Sequence, residues 1–95
     1  MAAYIIANVE VTDPVAYEEY RRSAPAAIAA YGGRYLARGG ATTVLEGDFK
    51  AHRLVIIEFP DMARLQAFYH SPEYQPLVAM RQRNARASLV AIEGL

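Results

Sequence analysis

The 95 residues predict an α+β fold with the order βαββαβ, an antiparallel four-stranded sheet with helices on one face. Three observations predict it. Tyr4–Val11 and Leu54–Phe59 are short, rich in β-branched residues and closed by turn residues, the signature of strands. Asp13-Pro14 and Pro60-Asp61 stand where such strands end, and each opens a run with helical spacing. Glycine pairs at Gly32-Gly33 and Gly39-Gly40 punctuate what lies between.

Taken in order, Tyr4–Val11 puts Ile5, Ala7, Val9 and Val11 on one face and Tyr4, Ile6, Asn8 and Glu10 on the other. Asp13 supplies an N-cap and Pro14 the first helical position. Tyr17, Tyr20, Ala24, Ala27, Ile28 and Tyr31 then form one helical stripe, opposite Glu18, Glu19 and Arg22. Pro25 removes one backbone bond inside that helix and predicts a kink. Gly32-Gly33 ends the helix.

Arg34–Arg38 reads as a second strand, with Gly39-Gly40 as a bulge or bend and Thr42–Glu46 as its continuation. Gly47-Asp48 opens a hairpin loop to about His52, and Leu54–Phe59 is the third strand. A helix from Met62 to about His70 turns Leu65, Phe68 and Tyr69 inward. Ser71-Pro72-Glu73 repeats the cap-then-proline signal before a further helix to about Asn84, and Pro76 suggests a turn before Leu77. Ala87–Glu93 is the last strand.

This order is the split βαβ, or ferredoxin-like, arrangement. Both faces of its sheet are apolar, with Tyr4, Ile6, Leu54 and Ile56 against Ile5, Ala7, Val9, Val55, Ile57 and Phe59. Helices cover one face only, and an apolar patch of several hundred Å² is rare on a monomer. A homodimer burying roughly 2,000 Å² in total is therefore expected. The two faces are too alike in polarity to tell which one meets the helices.

Composition narrows the function. Apolar residues make up 54%, which excludes a disordered chain, although eighteen are alanines that bury little area each. Ten basic and ten acidic residues cancel, which argues against nucleic acid as a partner. Nine of the ten basic residues are arginine, read first as codon bias. Without cysteine there is no disulfide framework, thiolate metal site or cysteine nucleophile. No signal peptide or membrane span is read, so a cytoplasmic protein is the expectation.

The segment Gly32-Gly33-Arg34-Tyr35-Leu36-Ala37-Arg38-Gly39-Gly40 is specific enough to suggest a family. So are Val11-Thr12-Asp13-Pro14 with Tyr17 and Tyr20, Glu58-Phe59-Pro60, and Tyr69-His70-Ser71-Pro72-Glu73-Tyr74. Together they resemble domain-of-unknown-function family 1330, in the dimeric α+β barrel superfamily, over essentially the whole chain. The resemblance implies a dimer whose sheets pack face to face. It implies no established reaction: the superfamily holds cofactor-free monooxygenases, lactone isomerases, haem-binding enzymes and plain ligand-binding modules. Fold analogy does not choose among these.

The residues offer candidates, each with a structural alternative. The glycine pairs fit neither a phosphate loop nor a dinucleotide fingerprint, since Gly32-Gly33 closes a helix. Arg38 stands before a bend that would aim it into a cavity, with Glu58 opposite if the hairpin pairs symmetrically about its loop. It is either an anion clamp oriented by Glu58 or one half of a plain ion pair. Asn8 and Glu10 belong to the same polar set. Tyr17, Tyr69 and Tyr74 are walls of a ligand pocket or ordinary core; Tyr20 and Tyr31 are read as core.

His70, beside Tyr69, is a helix-end imidazole or a general base. With His52 as the other histidine, no metal-ligand spacing exists and no metal is expected. No elbow motif surrounds Ser23, Ser71 or Ser88. Arg81, Arg83 and Arg86 read as a solvated helix end. The expectation is binding, or transformation without any cofactor, of a small organic acid or aromatic metabolite. Its site residues are Arg38, Tyr17, Tyr69, Glu58, Tyr74, His70 and Asn8. The alternative is a non-catalytic dimeric module with no bound metabolite.

Overall fold

Strand alternation allows either face of the sheet to be the inner one, and packing decides it. The computed structural model describes residues 1–95. Its elements are β1 (Ala3–Val11), α1 (Pro14–Ala30), β2 (Arg34–Arg38), β3 (Arg53–Phe59), α2 (Met62–Tyr69), α3 (Gln75–Asn84) and β4 (Ala85–Glu93). The strands form one antiparallel sheet in the order β2-β3-β1-β4. This is the ferredoxin-like order expected from the sequence.

The helices cover the face bearing Ala3, Ile5, Ala7 and Val9 of β1 and Val55, Ile57 and Phe59 of β3, all buried. Ala3 pairs with Phe59 and Ala7 with Val55, so at these two positions a small side chain meets a larger one across the ladder. The helices return Tyr17, Ala24, Ala27 and Ile28 from α1, Leu65 and Phe68 from α2, and Val78 from α3. Phe59 and Phe68 are the largest fully buried side chains, and their rings lie 5.1 Å apart. Each large apolar side chain so buried stabilises the fold by about 1.5–3 kcal/mol.

Helix boundaries follow their caps. The Asp13 carboxylate accepts from the Ala16 N–H at 3.1 Å, and Asp61 accepts from Arg64 at 2.8 Å. Helix α1 runs through Pro25 without ending, and Gly32 at φ +79° closes the turn after it. Gly33 is needed for space: a Cβ there would lie 2.7 Å from both Ile28 and Phe59. The Ser71 hydroxyl donates to the Phe68 carbonyl and accepts from the Tyr74 N–H, which shapes the turn between α2 and α3. Pro76 causes no break before Leu77, because it falls in the first turn of α3, where no N–H is required.

The expected continuation of β2 through Thr42–Glu46 does not form. Gly39, at φ +70°, turns the chain away after its N–H donates to the Leu54 carbonyl at 2.7 Å. The bulge is also earlier than expected, at Leu36 between Tyr35 and Ala37. Residues 39–52 form a long loop that exposes Val44, Leu45 and Phe49.

The other face of the sheet carries Tyr4, Ile6, Leu54, Ile56, Val90 and Ile92, paired as Ile56–Ile6–Val90 and Tyr4–Ile92. No element of the chain covers it. Ile6, Val90 and Ile92 are 38%, 59% and 53% exposed. One sheet and one helix layer make a slab 16 Å thick along its shortest axis.

Candidate functional site

A cavity of about 230 Å³ lies between the sheet and helices α1 and α3. Its floor is β1 and β3, through Ile5, Ala7, Val9, Val55 and Ile57. The small side chain of Ala7 leaves room there that a larger residue would fill. Tyr17, Tyr20, Tyr35 and Tyr74 form its aromatic walls. Tyr17 and Tyr20 come from α1 with ring centroids 5.2 Å apart, and the hydroxyls of Tyr20 and Tyr74 share a hydrogen bond.

The charge of the cavity is one-sided. Arg21, Arg22, Arg38, Arg53 and Arg81 line it against a single carboxylate, Glu18, which is held by Arg21 at 3.2 Å. Arg38 lies over the ring of Tyr35, its guanidinium carbon 4.7 Å from the ring centre. Arg53 passes so close to Gly39 that a Cβ at that position would collide with its guanidinium. Gly39 ends β2, and its positive φ favours glycine there.

Burial pushes the phenol of Tyr17 up, opposed by the charges of Arg53, Arg81 and Arg21. It pushes Tyr35 up against the pull of Arg38, and Tyr74 up against its hydrogen bond to Tyr20 and the charge of Arg81. Tyr20 is raised by burial and then by Tyr74. At neutral pH the walls are therefore uncharged phenols, and the guanidiniums set the potential.

Of the residues singled out in the sequence, Arg38, Tyr17 and Tyr74 meet at this cavity. Tyr69 and His70 line a second, more open groove of about 290 Å³ between α2 and the β1–β4 side of the sheet. Glu58 does not orient Arg38. The ladder places Arg34 opposite Glu58 and Arg38 opposite Val55, and the Glu58 carboxylate accepts from Arg34 Nε at 2.7 Å. Symmetric pairing failed as a guide because the loop is long and β2 is bulged. Asn8 lies on the uncovered face, where it ties down the loop. Its amide donates to the Lys50 carbonyl at 2.9 Å and its oxygen accepts from the His52 N–H at 2.8 Å.

The family model described as Domain of unknown function (DUF1330) matches residues 2–95. The chain belongs to this family. Among solved structures, a protein of unknown function from Rhodopseudomonas palustris is 22% identical, with a TM-score of 0.78 over 99% of this chain and 82% of its own. A dimeric ferredoxin-like protein of unknown function from Jannaschia sp. CCS1 is 17% identical, with a TM-score of 0.71 over 99% and 100%. SnoaB, a cofactor-independent oxygenase from Streptomyces nogalater, is 14% identical, with a TM-score of 0.68 over 99% and 93%. At these identities the likeness is one of fold. No curated protein sequence matches the chain.

In this DUF1330 chain the cavity takes in Tyr20, expected in the core, and Glu18 and Arg22, expected opposite the inward stripe of α1, together with Tyr35, Arg53 and Arg81. Tyr35 has no local signal, and the β2–β3 pairing brings it opposite Ile57 on the helix side. Arg53 is marked by the alternation of β3, which puts it on one face with Val55, Ile57 and Phe59, and it pairs with Val9 of β1. Arg81 departs from the solvated helix end that its position suggests. It is 4% exposed, not solvated, and its Nε and Nη1 have no hydrogen-bond partner. Its signal was present in the helical spacing, which puts Arg81 on one stripe with Tyr74, Val78 and Ala85.

Proposed function

We propose that the protein is a homodimer that binds a small organic acid or aromatic metabolite in the cavity between the sheet, α1 and α3 of each subunit. The observation that carries this reading is the meeting of Arg38 and Arg53 with Tyr17 and Tyr35 at a cavity whose one carboxylate is already paired. Cationic side chains attract an anionic group, and aromatic walls with polar tips hold a flat apolar body. Arg38, exposed at the edge of the cavity and stacked on Tyr35, is the entrance anchor.

The dimer reading draws on the uncovered apolar face and on solved neighbours described as dimeric ferredoxin-like proteins. Face-to-face packing of two such sheets would bury Ile6, Ile56, Val90 and Ile92 and complete a barrel. SnoaB is a cofactor-independent oxygenase of the same fold. Transformation of the bound acid without a cofactor therefore lies within the reach of this architecture, by fold analogy.

Native mass spectrometry of gently purified protein tests both halves. The expected result is a dimer carrying a constant extra mass, and loss of that mass with the dimer intact in Arg38→Ala. A dimer without added mass in either protein would leave the non-catalytic module as the better reading. A monomer would remove the self-association.

A further inference from the structure

Arg81 is the anomaly of the molecule. A guanidinium stays charged at any pH the protein meets, and burying one without a counter-charge costs several kcal/mol. The chain has ten carboxylic side chains, yet none reaches Arg81. The groups that face it are phenols: Tyr17 and Tyr20 from α1, and Tyr74 from the turn before its own helix. The one carboxylate on the cavity wall, Glu18, is half exposed and held by Arg21. Two Arg81 nitrogens are thus left with N–H groups and no acceptor in a cavity that has room for one.

We infer that Arg81 is the buried receptor for the anionic group of the ligand, and that the ligand is an aromatic carboxylate entering head first. The inference rests on the reading of the cavity as an organic-acid site and adds the ligand class and its orientation. Of the five arginines that line the cavity Arg81 alone is buried, and one buried positive charge balances one negative charge, which favours a carboxylate over a phosphate monoester of about two charges. Beyond the head group the lining is mostly hydrophobic, and tyrosine rings flank it, which suits a ring. Arg38, at the exposed edge, then meets the outer end of the ligand.

Thermal melting of wild type, Arg81→Met and Arg38→Ala tests this, with sodium benzoate as probe. Inorganic phosphate is run beside it, and sodium chloride at matched ionic strength is the control. Benzoate at about ten times its Kd is expected to raise the wild-type Tm by on the order of 5–10 °C, with no comparable shift from chloride. Arg81→Met, which removes an uncompensated charge and keeps an apolar stem, is expected to melt at or above the wild-type temperature in chloride and to lose the benzoate shift.

Melting of Arg81→Met well below wild type would overturn the inference, because Arg81 would then be supporting the fold. A phosphate shift without a benzoate shift would overturn the ligand class. A full benzoate shift in Arg81→Met that Arg38→Ala abolishes would overturn the role of Arg81 and leave the organic-acid reading standing. No response of wild type to either anion would overturn both.

Discussion

Ile5 and Ile6 are adjacent in sequence and identical in chemistry, yet Ile5 is 3% exposed and Ile6 is 38%. The two faces they represent differ in what they are packed to meet. The helix side mixes the small Ala3, Ala7 and Ala85 with the large Phe59 and Phe68, a jigsaw against curved helix surfaces. The uncovered side presents the branched aliphatic Ile6, Ile56, Val90 and Ile92 beside Leu54 and Tyr4, an apolar surface suited to another sheet. Hydrophobicity alone does not tell the face that the helices cover from the one that they leave open.

The contrast is broken most strongly by one substitution on each face. Phe59→Ala on the helix side is expected to cost about 3–5 kcal/mol, read as a fall in the urea midpoint. Ile6→Glu on the uncovered side is expected to leave a folded monomer in analytical ultracentrifugation, because a carboxylate would be buried unpaired in the proposed dimer. An Ile6→Glu protein that remains dimeric would show that the subunits meet elsewhere.

Alkaline titration sharpens the view of the helix side. Burial raises Tyr17, Tyr20, Tyr35 and Tyr74 above the ordinary value of 10.0. The folded chain then holds these protons more tightly than the unfolded chain does. This stabilisation is fully present below pH 10 and is lost as pH rises above it. Urea midpoints followed through that range should fall, with tyrosinate absorbance from these four residues delayed relative to the unfolded chain. Smallest is Glu58→Gln, which removes the partner of a largely exposed Arg34. It is expected to change stability by about 0–1 kcal/mol and to leave ligand binding unaltered, measured by melting with and without benzoate.

The fold was legible because its signals are local. Asp13 and Asp61 cap the helices that the sequence assigns to them, and the alternation in β1 fixes which residues share a face. The cavity was legible only where one element supplies the evidence, as α1 does for Tyr17. Register is not local: the bulge at Leu36 and the long 39–52 loop put Arg34 where Arg38 was expected, so the partner of Glu58 was misread. Arg81 was misread for another reason. Arginine at a helix C-terminus is common on surfaces, and that prior outweighed a spacing that pointed inward.

The strand order leaves β2 and β4 at the two edges of the sheet, and they are not equally guarded. Strand β2 is five residues long, bulged, and carries Arg34 and Arg38, features that discourage a second chain from adding to it. Strand β4 is nine residues long and has no charged side chain from Ala87 to Ile92. The aggregation liability of a lone subunit is therefore concentrated at β4, where misassembly would begin by edge-to-edge strand addition.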